Sequence, residues 1–449
     1  MATGLNSFDW QLAPEADKHL HQLIDWFIDQ CPRADRIAAT IESVTSTHIF
    51  DWVDHLSLPS TMLDRDELAK HGFVEIVGEK EVFIAPRTYL FPLRFHHGAT
   101  EMALKVEDLD AFRSTWSISR KVEGVRFAPF RRLRILEEEG ALLTAVERRG
   151  YNGFEVIQSY DMDEYAIALA ELRSRKRSQL SEEEGTNTIE DLVADLRSRM
   201  APARLADAFV RSEIDYWLSR NSAARMQQTV QDELGLGWAN QDHLTFRSSR
   251  SNFHRLIRLL EMMGFQPRER FYAGDVAGWG AQIMEHPLSS RVIFADVDLA
   301  PENDSGDFAH RPLVELDQRG TVGLWVALHG ESLLQAGMHH VAIRVDFDKA
   351  RATLSESGVH SMTPFSDFAF LRQLFTVGEK WLVDPRKLKQ LRSSGHYEGS
   401  KIDALAKNGA VGSHLELTQR TEGFEGFNQR SVSAIIKATN PLTYKVTQA

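Results

Sequence analysis

Two stretches of this chain follow the same order of local signals, and that repetition constrains the fold more than any single motif. "DHLTFRSSRSNFHRLIRLLEMMGFQP" (242–267) reads as a short strand, an amphipathic helix and a glycine turn at Gly264. "HHVAIRVDFDKARATLSESGVHSM" (339–362) reads as the same three pieces, closing at Gly358. Strand-rich sequence follows each: "GWGAQIMEHP" and "RVIFADVDLA" after the first, "LFTVGE" and "SHLELTQR" after the second. A strand, a helix and further strands, occurring twice, predict two βαβββ units in tandem and an α+β fold class.

The 235 residues before the repeat have a different texture. "PEADKHLHQLIDWFIDQC" spaces Leu20, Ile24, Trp26 and Phe27 for a helix. "FVEIV", "EVFIA" and "MALKV" read as short strands, and "VEGVRFAPF", "ALLTAVERRG" and "GFEVIQSY" as further ones. "MDEYAIALAELRSRKR" returns to helix. Residues 173–188, "RSRKRSQLSEEEGTNT", read as an exposed connection whose basic run is a solvated helix end. Helical sequence then leads to about residue 235. The expected organisation is a mixed α/β N-terminal region over 1–235, serving as lid or pocket wall, a first module over 236–330 and a second over 331–440.

Composition narrows the function classes. A chain of 449 residues exceeds one compact core. Its formal net charge of −12 disfavours generic affinity for nucleic acid or anionic membrane, since no excess of basic residues displaces counterions. A single cysteine, Cys31, excludes an intrachain disulfide and a cysteine-rich metal site, which suits a reducing cytoplasm. "MATGLNSFDW" has no basic stretch followed by an apolar run, so no signal peptide is expected, and no apolar run reaches membrane-spanning length. G-x-S-x-G, Walker-type, G-x-G-x-x-G and H-E-x-x-H motifs are absent.

Chemistry-bearing residues concentrate in the repeated part. Side chains two apart on a strand share a face. His243, Thr245 and Arg247 therefore point one way, as do His340, Ala342 and Arg344, and in "HLELTQR" Glu416 sides with His414 and Thr418. His339 points away from His340 and reads as structural. Such polar faces suit solvent exposure or the lining of a polar cavity. Two histidines and one carboxylate also form a facial triad that leaves positions open on a metal, suiting non-haem Fe(II) or zinc. "RFHHGATE", with His96, His97 and Glu101, reads as structural. Trp279 between two glycines reads as a turn residue or a pocket wall.

These stretches resemble the vicinal oxygen chelate superfamily, whose paired βαβββ modules form a cupped sheet around one metal. "NQDHLTFRSSRSNFHRLIRLLEMMGFQPRERF" is similar to the opening of the 2-oxoadipate dioxygenase/decarboxylase family, with its His-x-x-x-Arg strand and its glycine-aromatic-x-Pro-Arg turn. "HHVAI", "ELTQR" and the tail "TEGFEGFNQRSVSAIIKAT" extend the resemblance, which covers residues 236 to 440. The glutamate strand and tail are also similar, more distantly, to 4-hydroxyphenylpyruvate dioxygenase. The resemblance implies metal ligands at His243, His340 and Glu416 and a substrate-binding, catalytic role for Arg247. Arg344 is a second substrate-binding candidate, because it shares the face of His340. The implied enzyme is an Fe(II)-dependent oxygenase that takes a small 2-oxo acid and O2. It would decarboxylate and hydroxylate the acid, with 2-oxoadipate going to 2-hydroxyglutarate. A metal-dependent isomerase or lyase on the same fold, or a binding protein without turnover, are the alternatives.

Overall fold

The computed structural model describes residues 10–158, 162–178, 181–274, 277–303 and 306–445. Residues 1–9, on which the signal-peptide reading rests, lie outside them. In the described residues the chain is α+β, with two mixed sheets.

The first sheet follows two helices, α1 (Pro14–Gln30) and α2 (Pro32–Thr45). Its strands are β1 (Val53–Pro59), β2 (Val74–Glu75), β3 (Val82–Ile84), β4 (Leu93–His96), β5 (Thr100–Lys105), β6 (Phe130–Glu138) and β7 (Ala141–Arg148). Helix α3 (Arg65–Lys70) separates β1 from β2, and α4 (Leu109–Thr115) separates β5 from β6. The strand order is β2-β3-β4-β1-β5-β7-β6. Two expected strands differ. "VEGVRFAPF" turns at Gly124 and Phe127, which adopt positive φ, so β6 begins only at Phe130. Residues 153–158 of "GFEVIQSY" form no strand, and 159–160 lie outside the described residues. The Arg148 guanidinium takes the carbonyls of Tyr151 and Gly153, which fixes that backbone as a loop.

Helices α5 (Met162–Ser174), α6 (Glu182–Arg199), α7 (Pro202–Leu218) and α8 (Ser222–Asp232) come next. The expected exposed connection is wrong in part. Arg175 and Arg177 are buried, and both pair with the fully buried Glu213 of α7, at 2.5 and 2.8 Å. Two arginines around one carboxylate satisfy a charge that burial alone would make costly. The basic run therefore clamps a helix joint instead of being solvated.

The second sheet contains β8 (Gln241–Arg247), β9 (Gln266–Tyr272), β10 (Trp279–His286), β11 (Arg291–Asp298), β12 (His340–Arg344), β13 (Ser366–Phe368), β14 (Leu371–Phe375), β15 (Glu379–Trp381) and β16 (Ala410–Arg420). Helix α9 (Phe253–Met262) follows β8, and α10 (Thr321–His329) joins the units. Helix α11 (Phe347–Glu356) follows β12, and α12 (Pro385–Ser394) and α13 (Gly399–Asn408) intervene before β16. Helix α14 (Val432–Ala438) closes the described chain. The order β13-β14-β16-β12-β8-β11-β10-β9, with β15 on β16, joins two βαβββ units at the antiparallel β8–β12 pair. Both helix ends follow one physical rule. Gly264 and Gly358 adopt φ of +91° and +83°, and the next residue's N–H returns to the last turn, Phe265 to Leu260 and Val359 to Leu354.

Strand alternation divides the second sheet into two faces. Leu244, Phe246, Val341, Ile343, Leu415 and Leu417 are buried in one core. Helix α9 supplies Phe253, Leu256, Ile257 and Leu260 to that core from a single stripe. The residues between them, His243, Thr245, His340 and Glu416, face a cavity on the opposite side.

The first sheet repeats this layout. Its β1 and β5 pair antiparallel as β8 and β12 do, each flanked by a parallel partner. "DHLSL" (54–58) stands where "DHLTF" (242–246) stands in the second sheet. The N-terminal half is thus two more modules of the same kind, the second one strand shorter.

Candidate metal centre

Three strands deliver the candidate ligands. His243 comes from β8, His340 from β12 and Glu416 from the long strand β16. Because β12 pairs with both β8 and β16, it brings His340 opposite Thr245 and Ala342 opposite Glu416. Glu416 Oε2 lies 3.4 Å from His243 Nε2 and 3.2 Å from His340 Nε2. The three donor atoms all fall within 4.8 Å of one another, and all three residues are buried. A second group, His19, Glu67 and His71, lies partly exposed where α1 meets α3.

The remaining polar atoms of the triad are held. Asp242 accepts from, or ion-pairs with, the Nδ1 of His243 at 2.9 Å. Gln373 and Thr418 donate to Glu416 Oε1 at 2.7 and 2.9 Å, leaving Oε2 toward the imidazoles. His340 Nδ1 contacts His339 Nδ1 at 3.0 Å, while its Nε2, which faces Glu416, also lies 2.8 Å from Thr245 Oγ1. This is the second layer that orients metal ligands. Burial acts against charging His243, but the Glu416 and Asp242 carboxylates outweigh it and raise its pKa to about 9. His340 goes the other way: burial, then the charges of His243 and Arg247, hold it well below the usual histidine range. His243 Nε2, His340 Nε2 and Glu416 Oε2 are the atoms that would hold a cation. Two imidazole nitrogens and one carboxylate oxygen, oriented and buried, fit a divalent metal.

Aromatic side chains wall the cavity, which has a volume of about 50 Å³ and includes Phe271, Trp279, Phe294, Phe375 and Phe427. Phe294 lies 4.8 Å from the His243 ring and Phe375 4.8 Å from the His340 ring, centroid to centroid. Ile435 and Ile436 of α14 complete the lining. Trp279, read from sequence as a turn residue or a wall, is a wall.

The two arginines separate. Arg247 is fully buried, ion-pairs with Asp296 at 3.8 Å and lies over the Trp325 ring. Its Nε and Nη1 have no hydrogen-bond partner among the described residues. Burial lowers Arg247 to about 10 and raises Asp296, a wall of the cavity, to about 7. Arg344 does not reach this cavity, which corrects the expectation for it. Its Nε pairs with Asp242 at 3.1 Å and its guanidinium lies over Tyr89, so it lines a different cavity, between the two sheets. β12 alternates regularly against β16, so Arg344 keeps the face of His340, but β8 and β12 run antiparallel and Arg344 lies at the far end of the pair, beyond the cavity.

Sequence reading passed over Asp242, Gln373 and Thr418. A signal for Asp242 was present: Asp-His occurs at the same strand position in both halves. Asp54 contacts His55 Nδ1 at 2.6 Å and pairs with Arg148, as Asp242 does with His243 and Arg420. In the first sheet, however, Glu101 occupies the place of His340 and Thr144 that of Glu416, and these two bond to each other at 2.8 Å.

No family model and no curated protein matches the chain. Among solved structures it is similar to a mutant of 4-hydroxymandelate synthase from Streptomyces coelicolor. The identity is 11%, covering 88% of this chain and 98% of that one, with a TM-score of 0.31. It is also similar to methylmalonyl-CoA epimerase from Mycobacterium tuberculosis, at 15% identity over 41% of this chain and 89% of that one, with a TM-score of 0.23. At these scores neither likeness bears on the chemistry of this chain. Among the described residues no helix is long and apolar enough to cross a membrane.

Proposed function

We propose that the protein is a non-haem Fe(II) oxygenase that decarboxylates and hydroxylates a small 2-oxo acid, 2-oxoadipate or a near relative. The observation that carries this reading is the convergence of His243, His340 and Glu416 on one buried point, each held by a further polar partner. A bound Fe(II) would supply open positions for the keto and carboxylate oxygens and for O2, and the electrons that O2 requires. The reaction balances as 2-oxoadipate plus O2 giving 2-hydroxyglutarate plus CO2, with no nicotinamide consumed.

The chain's own residues position and shield. Asp242 keeps His243 Nε2 aimed inward, and Gln373 with Thr418 fixes the Glu416 carboxylate. The phenylalanine walls exclude water, which strengthens every charge interaction inside. Arg247 lies behind Asp296, a wall of the cavity, and would meet the distal carboxylate of the acid as Asp296, with its raised pKa, gives way. The small cavity favours a short acid over an extended substrate.

The test is anaerobic reconstitution with iron, followed by oxygen uptake across a panel of 2-oxo acids. One O2 consumed per acid lost, with label from 18O2 in the product hydroxyl, is the expected result. Turnover without oxygen, or with zinc alone, would favour the isomerase or lyase reading. Substrate binding without turnover under iron and air would favour a binding protein.

A further inference from the structure

A larger cavity, of about 290 Å³, lies between the two sheets, walled by β1 and β5 residues on one side and β8 and β11 residues on the other. Its lining holds three matched ion pairs: Arg148 with Asp54, Arg211 with Asp207, and Arg344 with Asp242. Glu107 adds a fourth carboxylate, which also takes Arg211.

Two cations are left over. The side chain of Lys105, at the end of β5, makes no hydrogen bond or ion pair among the described residues. Arg291, at the start of β11, reaches the amide oxygen of Gln241 at 2.6 Å and no carboxylate among the described residues. Burial and then the neighbouring Arg344 pull the Lys105 ammonium down to about 8 against the opposing carboxylates of Asp51 and Asp54, and Arg291 adds to the lowering. Five cations against four carboxylates leave the lining itself one positive charge in surplus, and Asp51, just behind it, is held toward its neutral form by burial. Tyr89, Phe91 and Trp238 supply flat apolar wall beside these charges. A polar cavity of this size with convergent charges and aromatic surface has the composition of a ligand site.

We propose that this cavity is a second binding site, separate from the metal centre, for a small aromatic monocarboxylate. Lys105 and Arg291 meet the carboxylate, and Tyr89, Phe91 and Trp238 pack its ring. One surplus positive charge matches one carboxylate, whereas a phosphate group would bring close to two negative charges. Arg291 already holds an amide oxygen and can exchange it for a charged acceptor, which makes the stronger bond.

Calorimetric titration of the full chain with benzoate tests the site. One benzoate is expected to bind per chain. Lys105→Met should weaken it by about tenfold or more, the loss of one charge-assisted contact. Arg291→Gln should act in the same direction and carries the test if the Lys105 variant does not fold. Glu416→Gln, in the other cavity, should leave benzoate binding unchanged. No binding at millimolar benzoate would overturn the proposal. So would binding that survives both cation variants and is lost in Glu416→Gln, which would place it at the metal centre. Tighter binding of inorganic phosphate than of benzoate would overturn the carboxylate assignment.

Discussion

The Asp242 carboxylate stands 2.9 Å from the Nδ1 of His243, its neighbour in the chain, and so links the two cavities of the molecule. Its own charge is secured by Arg420 at 2.8 Å and Arg344 at 3.1 Å, and these arginines hold it well below the usual carboxylate range against the effect of burial. An anionic partner on Nδ1 makes an imidazole a better donor through Nε2. Asp242→Asn should therefore lower metal affinity about ten- to hundredfold. Metal titration of the folded variant checks this, and an unchanged affinity would leave Asp242 only an ion-pair partner of Arg420.

Replacing any one of His243, His340 or Glu416 with alanine should remove most bound iron, because three ligands leave no redundancy. His339→Ala is the informative control. Its ring contacts His340 Nδ1 at 3.0 Å, so the variant should bind iron more weakly yet to full stoichiometry. Metal analysis after reconstitution distinguishes the two patterns. Loss of iron from the His339 variant with retention in the His340 variant would exchange their roles.

Arg247→Lys should keep iron and lose substrate. An ammonium cannot reproduce a planar fork, and the missing charge-assisted contact is worth about 1.5–3 kcal/mol, or ten- to hundredfold in affinity. Steady-state kinetics would show the change as a raised KM. Unchanged kinetics would assign the residue to the Asp296 ion pair and the Trp325 stack alone.

Asp298 gives stability a pH dependence. Its carboxylate accepts from the N–H groups of Gly320 and Val322 at the start of α10, at 2.6 and 3.1 Å, yet burial outweighs those bonds and raises its pKa to about 6. Folded protein therefore holds this proton where unfolded chain, with a pKa near 3.8, has lost it. The contribution is fully present below pH 4 and falls away as pH rises through 6, by up to about 3 kcal/mol. In Asp298→Asn the slope between pH 4 and 6 should flatten relative to the parent protein. Denaturant melts at pH 4, 5, 6 and 7 measure it, and parallel curves for the two proteins would refute it.

The order of elements in the second half was legible because strand and helix periods are local properties of a chain. His243, His340 and Glu416 could be singled out because each sits on the polar side of a strand whose other side is apolar. The fate of the two arginines was not legible. Arg247 and Arg344 occupy the same place in their strands, four residues after a histidine. Their strands run antiparallel, so the two lie at opposite ends of the pair: Arg247 sits behind Asp296, and Arg344 meets Asp242 and Tyr89 in a different cavity. The repeated first half was hidden for a related reason. Its strands are short, and its relation to the second half lies in which strands pair with which, carried locally by little beyond "DHLSL" and "DHLTF". The basic run near residue 175 was misread because charge patterns report solvation only until a partner such as Glu213 is brought up by a distant helix. Local sequence thus determined the elements and their apolar faces. Strand pairing and long-range charge neutralisation, which joins Arg177 to Glu213 across 36 positions and Arg420 to Asp242 across 178, decided which polar side chains share a cavity.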